Sequence, residues 1–291
     1  MTFWRKYAIL FVYVIQHTLS ILAQTEANPM YEFYHEGFFG YGEPGDFIMF
    51  SFWHFLPIAV LVACMLLVFH FRDKLRSWSG EGRFRFIYAF IMLVVEMSYF
   101  WRILYVGDDT GGYSLLNRLP LQVCQWGLIC SAFAMMSKND TLYGIHFFVG
   151  LGLTVPALFT PSVITRTGPA YYRYYQFWLE HGMPLIAIVY MGAVHGKRPK
   201  YRHIWLSTAL LILLSVPCVI ANHTIPNANY MYLGNYVPGS TVTIDPLSFM
   251  PKSQAVRYIC TTLAVVVIFH VIYFAWKGLT SLYQKRKDRN G

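Results

Sequence analysis

The sequence predicts an all-α, multi-pass transmembrane helical bundle, and three observations support this fold class. The 291 residues are 56% hydrophobic and only 13% charged, and their mean hydropathy is +0.41. Soluble domains carry about 25% charged residues, so lipid must surround much of this chain. Eight apolar stretches approach or reach the roughly 17–25 residues that a transmembrane helix needs. Basic residues fall in every second connection between them.

The eight predicted helices follow one another along the chain. They span residues 7–23, 46–71, 86–106, 119–136, 142–160, 174–194, 204–221 and 256–276. The first stretch follows the basic pair Arg5 and Lys6 and ends at the small residue Ala23, as a signal peptide also does. A retained helix is favoured over a cleaved signal, which would leave seven helices.

Charge sets the predicted orientation of the bundle. The basic connections contain Arg5, Lys6, Arg72, Lys74, Arg76, Arg83, Arg85, Lys197, Arg198, Lys200, Arg202, Lys277, Lys285, Arg286, Lys287 and Arg289. Because loops rich in Lys and Arg stay in the cytoplasm, both termini are predicted to be cytoplasmic. The net charge of +9 is divided among four short loops. That distribution favours contact with anionic lipid and excludes nucleic acid as a partner.

The predicted domain organisation is a single membrane-embedded bundle with short extensions. Residues 1–45 form the first helix or signal and an outer linker, 46–276 form the bundle, and 277–291 form a basic cytoplasmic tail. The loop 222–255 lies outside the membrane and is rich in Pro, Asn, Gly and Tyr. Long loops of this kind are often functional, and we expect this one to cap the bundle.

Ionisable side chains at similar membrane depth indicate a site. Such groups are costly in a bilayer and usually face the interior of a bundle. At 1.5 Å of rise per residue, Cys124 is predicted to lie roughly 8 Å below the outer end of its helix, and His54 and His181 roughly 12 Å below theirs. Arg102 is close to the outer end of its helix, and Glu96 is roughly 9 Å deeper.

A thiol and an imidazole at matching depth suit nucleophilic acyl transfer. His181 would take the proton of Cys124, and the thiolate would form a thioester that a second substrate resolves. Arg102 would supply positive potential. Candidate donors to the oxyanion are Gln122, Trp126 and Asn229. Glu180 points about 100° away from His181 around their helix, which predicts a different partner for its carboxylate.

Each candidate also has a structural interpretation. A buried Cys often behaves as a small apolar residue, as Cys130 is expected to do six positions deeper. A His in a transmembrane helix is more often a hydrogen-bond partner of another helix than a base. Glu96 and Arg102 are too far apart around their helix to pair with each other, so each is expected to bind a neighbouring helix.

Two other functions use the same residues. His54, Cys124, His181 and Glu96 offer ligands that zinc favours, which would suit metal-assisted lipid hydrolysis, although no HExxH motif is present. Intramembrane Glu96 and Arg102 would also suit a carrier for a small polar or lipidic solute. No inverted repeat is evident, and the polar groups gather toward one side of the membrane.

Several motifs carry a family resemblance over residues 46–276. Leu119–Cys124 (LPLQVC), Asn229–Leu233 (NYMYL) and Gln176–Gly182 (QFWLEHG) resemble motifs of the bacterial YwaF-like integral membrane proteins and of the eukaryotic transmembrane protein 164 relatives. His54 matches the histidine of the family's first core helix. Glu96 and Arg102 also resemble residues of the family pattern. Gln122 stands where the bacterial signature usually has His.

The resemblance implies a cysteine-dependent acyltransferase that moves a fatty acyl chain onto lyso-ether phospholipids. It implies that Cys124 is the nucleophile and His181 its histidine. We expect the 222–255 loop to place Asn229 and Tyr230 near the mouth of the pocket. Phospholipid and lysophospholipid would be the substrates, and no cofactor or metal would be needed. The closer motif match favours a bacterial cell membrane, with the endoplasmic reticulum as the alternative for a eukaryotic chain.

Overall fold

A computed structural model describes residues 47–106, 119–161, 168–225, 228–234 and 253–290. Within these ranges every regular element is a helix and no strand is present, which confirms the predicted all-α class. The stretch 7–23, and with it the choice between a retained helix and a signal peptide, lies outside the described residues, as does most of the 222–255 loop. The cytoplasmic placement of both termini stays a prediction.

The other seven predicted helices are all present. The described α-helices are α1 Phe52–His70, α2 Arg72–Ser77, α3 Glu81–Val106, α4 Val123–Ser137, α5 Asp140–Val149, α6 Val155–Phe159, α7 Tyr172–Ala193, α8 Arg202–Thr224 and α9 Gln254–Asn290. The short α2 was not predicted, and α5 and α6 together correspond to the helix predicted over 142–160. A π-helical turn, Gly150–Thr154, joins α5 to α6, so the two form one interrupted span. Among the described residues, five spans are long and apolar enough to cross a membrane: α1, α3, α5–α6, α8 and α9. The chain is therefore an integral membrane protein.

Two predicted boundaries were wrong in ways that matter for the site and the tail. The helix predicted from residue 119 begins at Val123, because Leu119–Gln122 is not helical. The helix predicted to end at residue 276 continues as α9 through Asn290. Lys and Arg are good helix formers in water, so a helix need not end where the apolar stretch ends.

The helices alternate in direction, and hydrogen bonds at both ends hold them in register. At one end, Tyr174 Oη donates to the carbonyl oxygen of Trp53 over 2.6 Å, which joins α7 to α1. At the other end, Arg76 donates to the carbonyl oxygens of Ala193, the last residue of α7, and of Val194, which follows it. We call the end at which α4 and α7 begin the site end. Because α7 packs against α1, α3, α4 and α5, it is the central helix.

A buried charged cluster closes the opposite end of the bundle. Glu81 Oε1 accepts hydrogen bonds from Arg85 Nε at 2.7 Å, Tyr190 Oη at 3.0 Å and His195 Nε2 at 2.7 Å. Burial lowers the pKa of His195, so the neutral ring donates its Nε2 proton to Glu81. A buried carboxylate with three donors is well satisfied, and the cluster ties α3 to α7.

Gly144 marks the tightest helix contact in the core. A Cβ atom at this position would lie 1.7 Å from Nδ1 of His203, whose buried ring is fixed because Nδ1 accepts from the N–H of Lys200. We predict that Gly144→Ala lowers the free energy of unfolding by about 1–3 kcal/mol through overpacking. Thermal unfolding in detergent tests this, with Gly82→Ala as control because no atom lies within 4 Å of its Cβ. Equal melting temperatures for the two variants would contradict the close approach.

Candidate functional site

Cys124 lies in the first turn of α4, at the site end of the bundle. The backbone N–H of Gln122, the residue before the helix, donates to Gln125 Oε1 over 2.9 Å, which fixes where the helix starts. The first N–H groups of any helix lack partners within it, and they carry the positive end of its dipole. The thiol therefore sits where backbone donors and dipole favour negative charge.

Two neighbours on α7 face this thiol. Cys124 Sγ, a carboxylate oxygen of Glu180 and a ring nitrogen of His181 all lie within 4.8 Å of one another. The structure thus brings together the predicted pair Cys124 and His181. Glu180 has a different partner from His181, as expected, because Arg173 donates to its carboxylate. The same carboxylate nevertheless also lies beside the thiol.

The His181 ring is held in one tautomer. Nδ1 lies 2.8 Å from the carbonyl oxygen of Phe177, one turn earlier in α7. Because a carbonyl only accepts, Nδ1 carries the proton, and the neutral ring keeps the lone pair on Nε2. The Phe177 ring also packs against the imidazole at a centroid distance of 4.2 Å. His181 is therefore oriented as a base.

Arg173 provides the cation of the site. Its guanidinium donates to Glu180 Oε2 over 3.0 Å and lies over the ring of Tyr99, 4.3 Å from the ring centroid. Gln176 Nε2 also donates to Glu180 Oε2 at 3.0 Å. Sequence reasoning missed Arg173, although its spacing of seven residues from Glu180, with Gln176 between them, places all three on one helical face.

Cys124, Arg173 and His181 line a cavity of about 520 Å³. Its lining includes Gln122, Cys124, Arg173, His181 and Asn229 beside many apolar side chains from the π-turn, α6, α8 and α9. Ligand pockets in proteins have volumes of roughly 300–1,000 Å³ and combine apolar walls with a few polar groups. The cavity has the size and the chemistry of a site for an amphipathic molecule.

A model of the TMEM164 family matches residues 49–278. The chain belongs to the TMEM164 family. No curated protein and no solved structure matches it. The family match agrees with the resemblance of the sequence motifs, and the matched range contains every described residue that lines the cavity except Phe47.

Of the two predicted charges on α3 in this TMEM164-family protein, Arg102 lies away from the cavity and Glu96 lies near the charged residues of the site. The Arg102 guanidinium lies 5.7 Å from the centroid of the Tyr172 ring, and Arg102 does not line the cavity. Arg173, not Arg102, stands beside the thiol. Glu96 is 3% exposed and interacts electrostatically with Glu180 and Arg173, and within the described ranges its Oε2 atom accepts no hydrogen bond.

His54 joins two helices and lies outside the cavity lining. Its Nδ1 accepts from the backbone N–H of Phe50 at 2.9 Å, so Nε2 carries the proton and donates to the carbonyl oxygen of Leu158 at 2.8 Å. Both ring nitrogens are thus committed to the main chain. The predicted metal set of His54, Cys124, His181 and Glu96 does not assemble, because His54 is bound elsewhere and Glu180 takes the place beside the thiol.

Residues 228–234 fold over the beginning of α4. The backbone N–H of Met231 donates to Gln122 Oε1 over 3.1 Å, and Tyr230 Oη accepts from the N–H of Leu119 at 2.8 Å. Asn229 Oδ1 accepts from the N–H of Gly234, so this predicted oxyanion donor uses its oxygen to hold the turn. Tyr230 and the third predicted donor, Trp126, do not line the cavity.

Asn222 holds this segment in place, which gives a second prediction. Its side chain accepts from the N–H of Tyr230 at 2.7 Å and donates to the carbonyl oxygen of Tyr230 at 3.0 Å. Asn222→Ala strands two buried backbone groups, so we expect the free energy of unfolding to fall by about 2 kcal/mol. Hydrogen exchange of residues 228–234 should quicken. His223→Ala, on the exposed side of the same turn, is the control. Unchanged exchange in Asn222→Ala would contradict this role.

Proposed function

We propose that this TMEM164-family protein is a membrane-embedded acyltransferase that moves a fatty acyl chain between glycerophospholipids through a thioester on Cys124. The observation that carries the proposal is the thiol in the first turn of α4, within 4.8 Å of the His181 and Glu180 side chains and open to the cavity. A nucleophile with a positioned base is the arrangement that covalent acyl transfer requires.

In the first half-reaction, His181 Nε2 takes the proton of the Cys124 thiol. The thiolate attacks the ester carbonyl carbon of a phospholipid, and the resulting oxyanion accepts from first-turn N–H groups of α4. The bond between the carbonyl carbon and the glycerol oxygen then breaks. The departing oxygen takes the proton from the His181 imidazolium, which leaves a lysophospholipid and an acyl thioester on Cys124.

The second half-reaction reverses these steps on another lipid. His181 removes the proton of a lysophospholipid hydroxyl, whose oxygen attacks the thioester carbonyl. The bond between carbon and sulfur breaks, and the thiolate recovers its proton from the imidazolium. Glu180 stabilises the imidazolium, and Arg173 offsets the repulsion between Glu180 and the thiolate. The acyl group passes from lipid to lipid, so no dissociable cofactor is consumed.

Intact-mass measurement tests the thioester. Purified protein mixed with phospholipid vesicles and quenched in acid should gain the mass of one acyl group in place of one hydrogen. Neutral hydroxylamine should remove this adduct, because it cleaves thioesters, and peptide mapping should locate it on Cys124. Cys130→Ala should acylate as the unaltered protein does, since Cys130 is outside the cavity lining. An adduct on another residue, or none, would refute the mechanism.

A second candidate function follows from the chemistry of the same three side chains. Thiolate, carboxylate and imidazole are zinc ligands, and three protein ligands with one open position are typical of a catalytic zinc site. The site would then hydrolyse a lipid ester instead of transferring the acyl group. One zinc ion per molecule in protein purified without chelator would favour this alternative, provided that Glu180→Ala and His181→Ala each lose the zinc. Metal-free protein that still forms the Cys124 thioester would exclude it.

A further inference from the structure

The cavity continues well beyond the cysteine, between α8 and α9. Its lining on α9 runs from Tyr258 to Ile268, ten residues or about 15 Å of helix. On α8 it runs from Ser215 back to Thr208, roughly 10 Å. Because α9 begins at the site end and α8 ends there, both runs lead away from Cys124 toward the middle of the bundle. We call this part of the cavity the α8–α9 slot.

The slot opens sideways to the surroundings of the bundle. Ile212 on α8 and Ile268 on α9 both line the cavity, and they are 42% and 37% exposed. The next residues along the chain, Leu213 and Val267, are exposed and do not line the cavity, so Ile212 and Ile268 lie where the slot meets the outer face of the two helices. Since α8 and α9 are membrane-length helices, the opening faces lipid, so a membrane molecule reaches the slot without crossing water.

The walls of the slot are apolar although several carry hydroxyl groups. Thr208 Oγ1 donates to the carbonyl oxygen of Ile204, and Thr262 Oγ1 donates to that of Tyr258, both at 2.9 Å within their own helices. Ser215 Oγ donates to the carbonyl oxygen of Ile212 at 2.6 Å and lies 3.0 Å from Tyr258 Oη. With the hydroxyls committed, the threonines present methyl groups, which suits hydrocarbon better than a polar solute.

The inner side of the slot is closed by packing around the π-turn. Gly152 lines the cavity, and a Cβ at this position would lie 2.9 Å from Cε1 of Phe269, a fully buried ring. Phe269 in turn packs against Phe148, with ring centroids 5.6 Å apart. The absence of a side chain at Gly152 lets α9 approach the π-turn closely. Gly152 is the lining residue of this span that lies farthest from the site end, so the slot narrows where Phe269 packs behind it.

We propose that the α8–α9 slot holds the acyl chain of the phospholipid substrate and selects its length. This inference rests on the proposed function, which places the ester carbonyl of the substrate at Cys124. Occupation of the slot by an acyl chain can nevertheless be measured without any reaction. A chain whose carbonyl lies at Cys124 extends into the slot, and its far end meets the closed inner side. Chains that fit fill the apolar volume, and longer ones must leave through the rim.

Narrowing the slot tests the selection of chain length. Ala264 lines the slot, and Leu263 beside it is 60% exposed and does not. In Ala264→Phe, we expect transfer of an oleoyl chain to fall by roughly tenfold relative to an octanoyl chain, because the added ring overpacks the slot. Leu263→Phe adds the same ring on the lipid side and should keep the original ratio. An unchanged ratio in Ala264→Phe would overturn the proposal.

Photolabelling tests occupation separately from chemistry. Cys124→Ala protein in vesicles would be irradiated with a phosphatidylcholine that carries a diazirine at the far end of one acyl chain. Label on slot residues, among them Leu211 and Val265, supports the proposal even if no thioester ever forms on Cys124. Label confined to lipid-facing residues such as Leu263 and Val267 overturns the proposal for the slot. Such a result would not contradict a thioester found on Cys124, so the slot and the proposed function fail separately.

Discussion

Cys124→Ala is expected to abolish acyl transfer between phospholipids, with a loss of about a thousandfold or more. Without the sulfur no thioester can form, and the remaining donors cannot replace a missing covalent step. The variant should fold normally, because the small side chain borders an existing cavity, and Glu180, which loses its hydrogen bond with the thiol, keeps Arg173 and Gln176 as donors. Transfer of a labelled acyl chain to a lysophospholipid in liposomes is the measurement.

Cys130→Ala is the matched control for this prediction. Cys130 lies on the same helix, is also a free thiol and is partly buried, but it does not line the cavity. Its replacement should leave transfer within about twofold of the unaltered protein, as a substitution away from the site does. Transfer that survives in Cys124→Ala but fails in Cys130→Ala would show that the wrong thiol had been chosen.

The apolar stretches were sufficient to predict the helices. In lipid a chain segment has no water to bind its backbone N–H and C=O groups, and a helix pairs these groups with each other. They did not locate the start of α4. That boundary depends on Gln122 and Gln125, whose pairing fixes the first turn, and on the contact of Gln122 with Met231 more than a hundred residues later. Contacts between distant segments leave no periodic pattern in the sequence.

Membrane depth predicted only part of the site, because depth also omits the contacts between distant segments. It grouped Cys124 with His181, which do meet, but also with His54 and Arg102, which lie elsewhere. Depth gives one coordinate of a side chain. Whether two side chains come into contact also depends on how each helix is rotated about its axis and on which helices are neighbours. Rotation about α7 predicts that Glu180 has a partner other than His181, but only the position of α4 against α7 shows that its carboxylate also reaches the thiol.

Arg173→Met is expected to lower both stability and activity. The substitution removes the guanidinium from Glu180 Oε2 and leaves a carboxylate, 3% exposed, with only the neutral donors Gln176 and Cys124. Breaking a buried pair by removing one partner costs about 3–5 kcal/mol. We also expect transfer to fall by about a hundredfold, because the thiolate of Cys124 then faces an uncompensated negative charge. Each tenfold of that loss corresponds to an increase of about 1.4 kcal/mol in the activation free energy. Thermal unfolding in detergent and the liposome assay measure the two effects.

The double variant Arg173→Met with Glu180→Gln separates the two roles. Replacing both members of a buried ion pair removes the stranded charge, so stability should return close to that of the unaltered protein. Activity should stay low, because neither the cation that offsets the thiolate nor the carboxylate that stabilises the His181 imidazolium is present. Arg198→Met, an exposed position, controls for loss of a positive charge. If the two substitutions lowered stability additively, the residues would not act as a pair, and the electrostatic account of this site would fail.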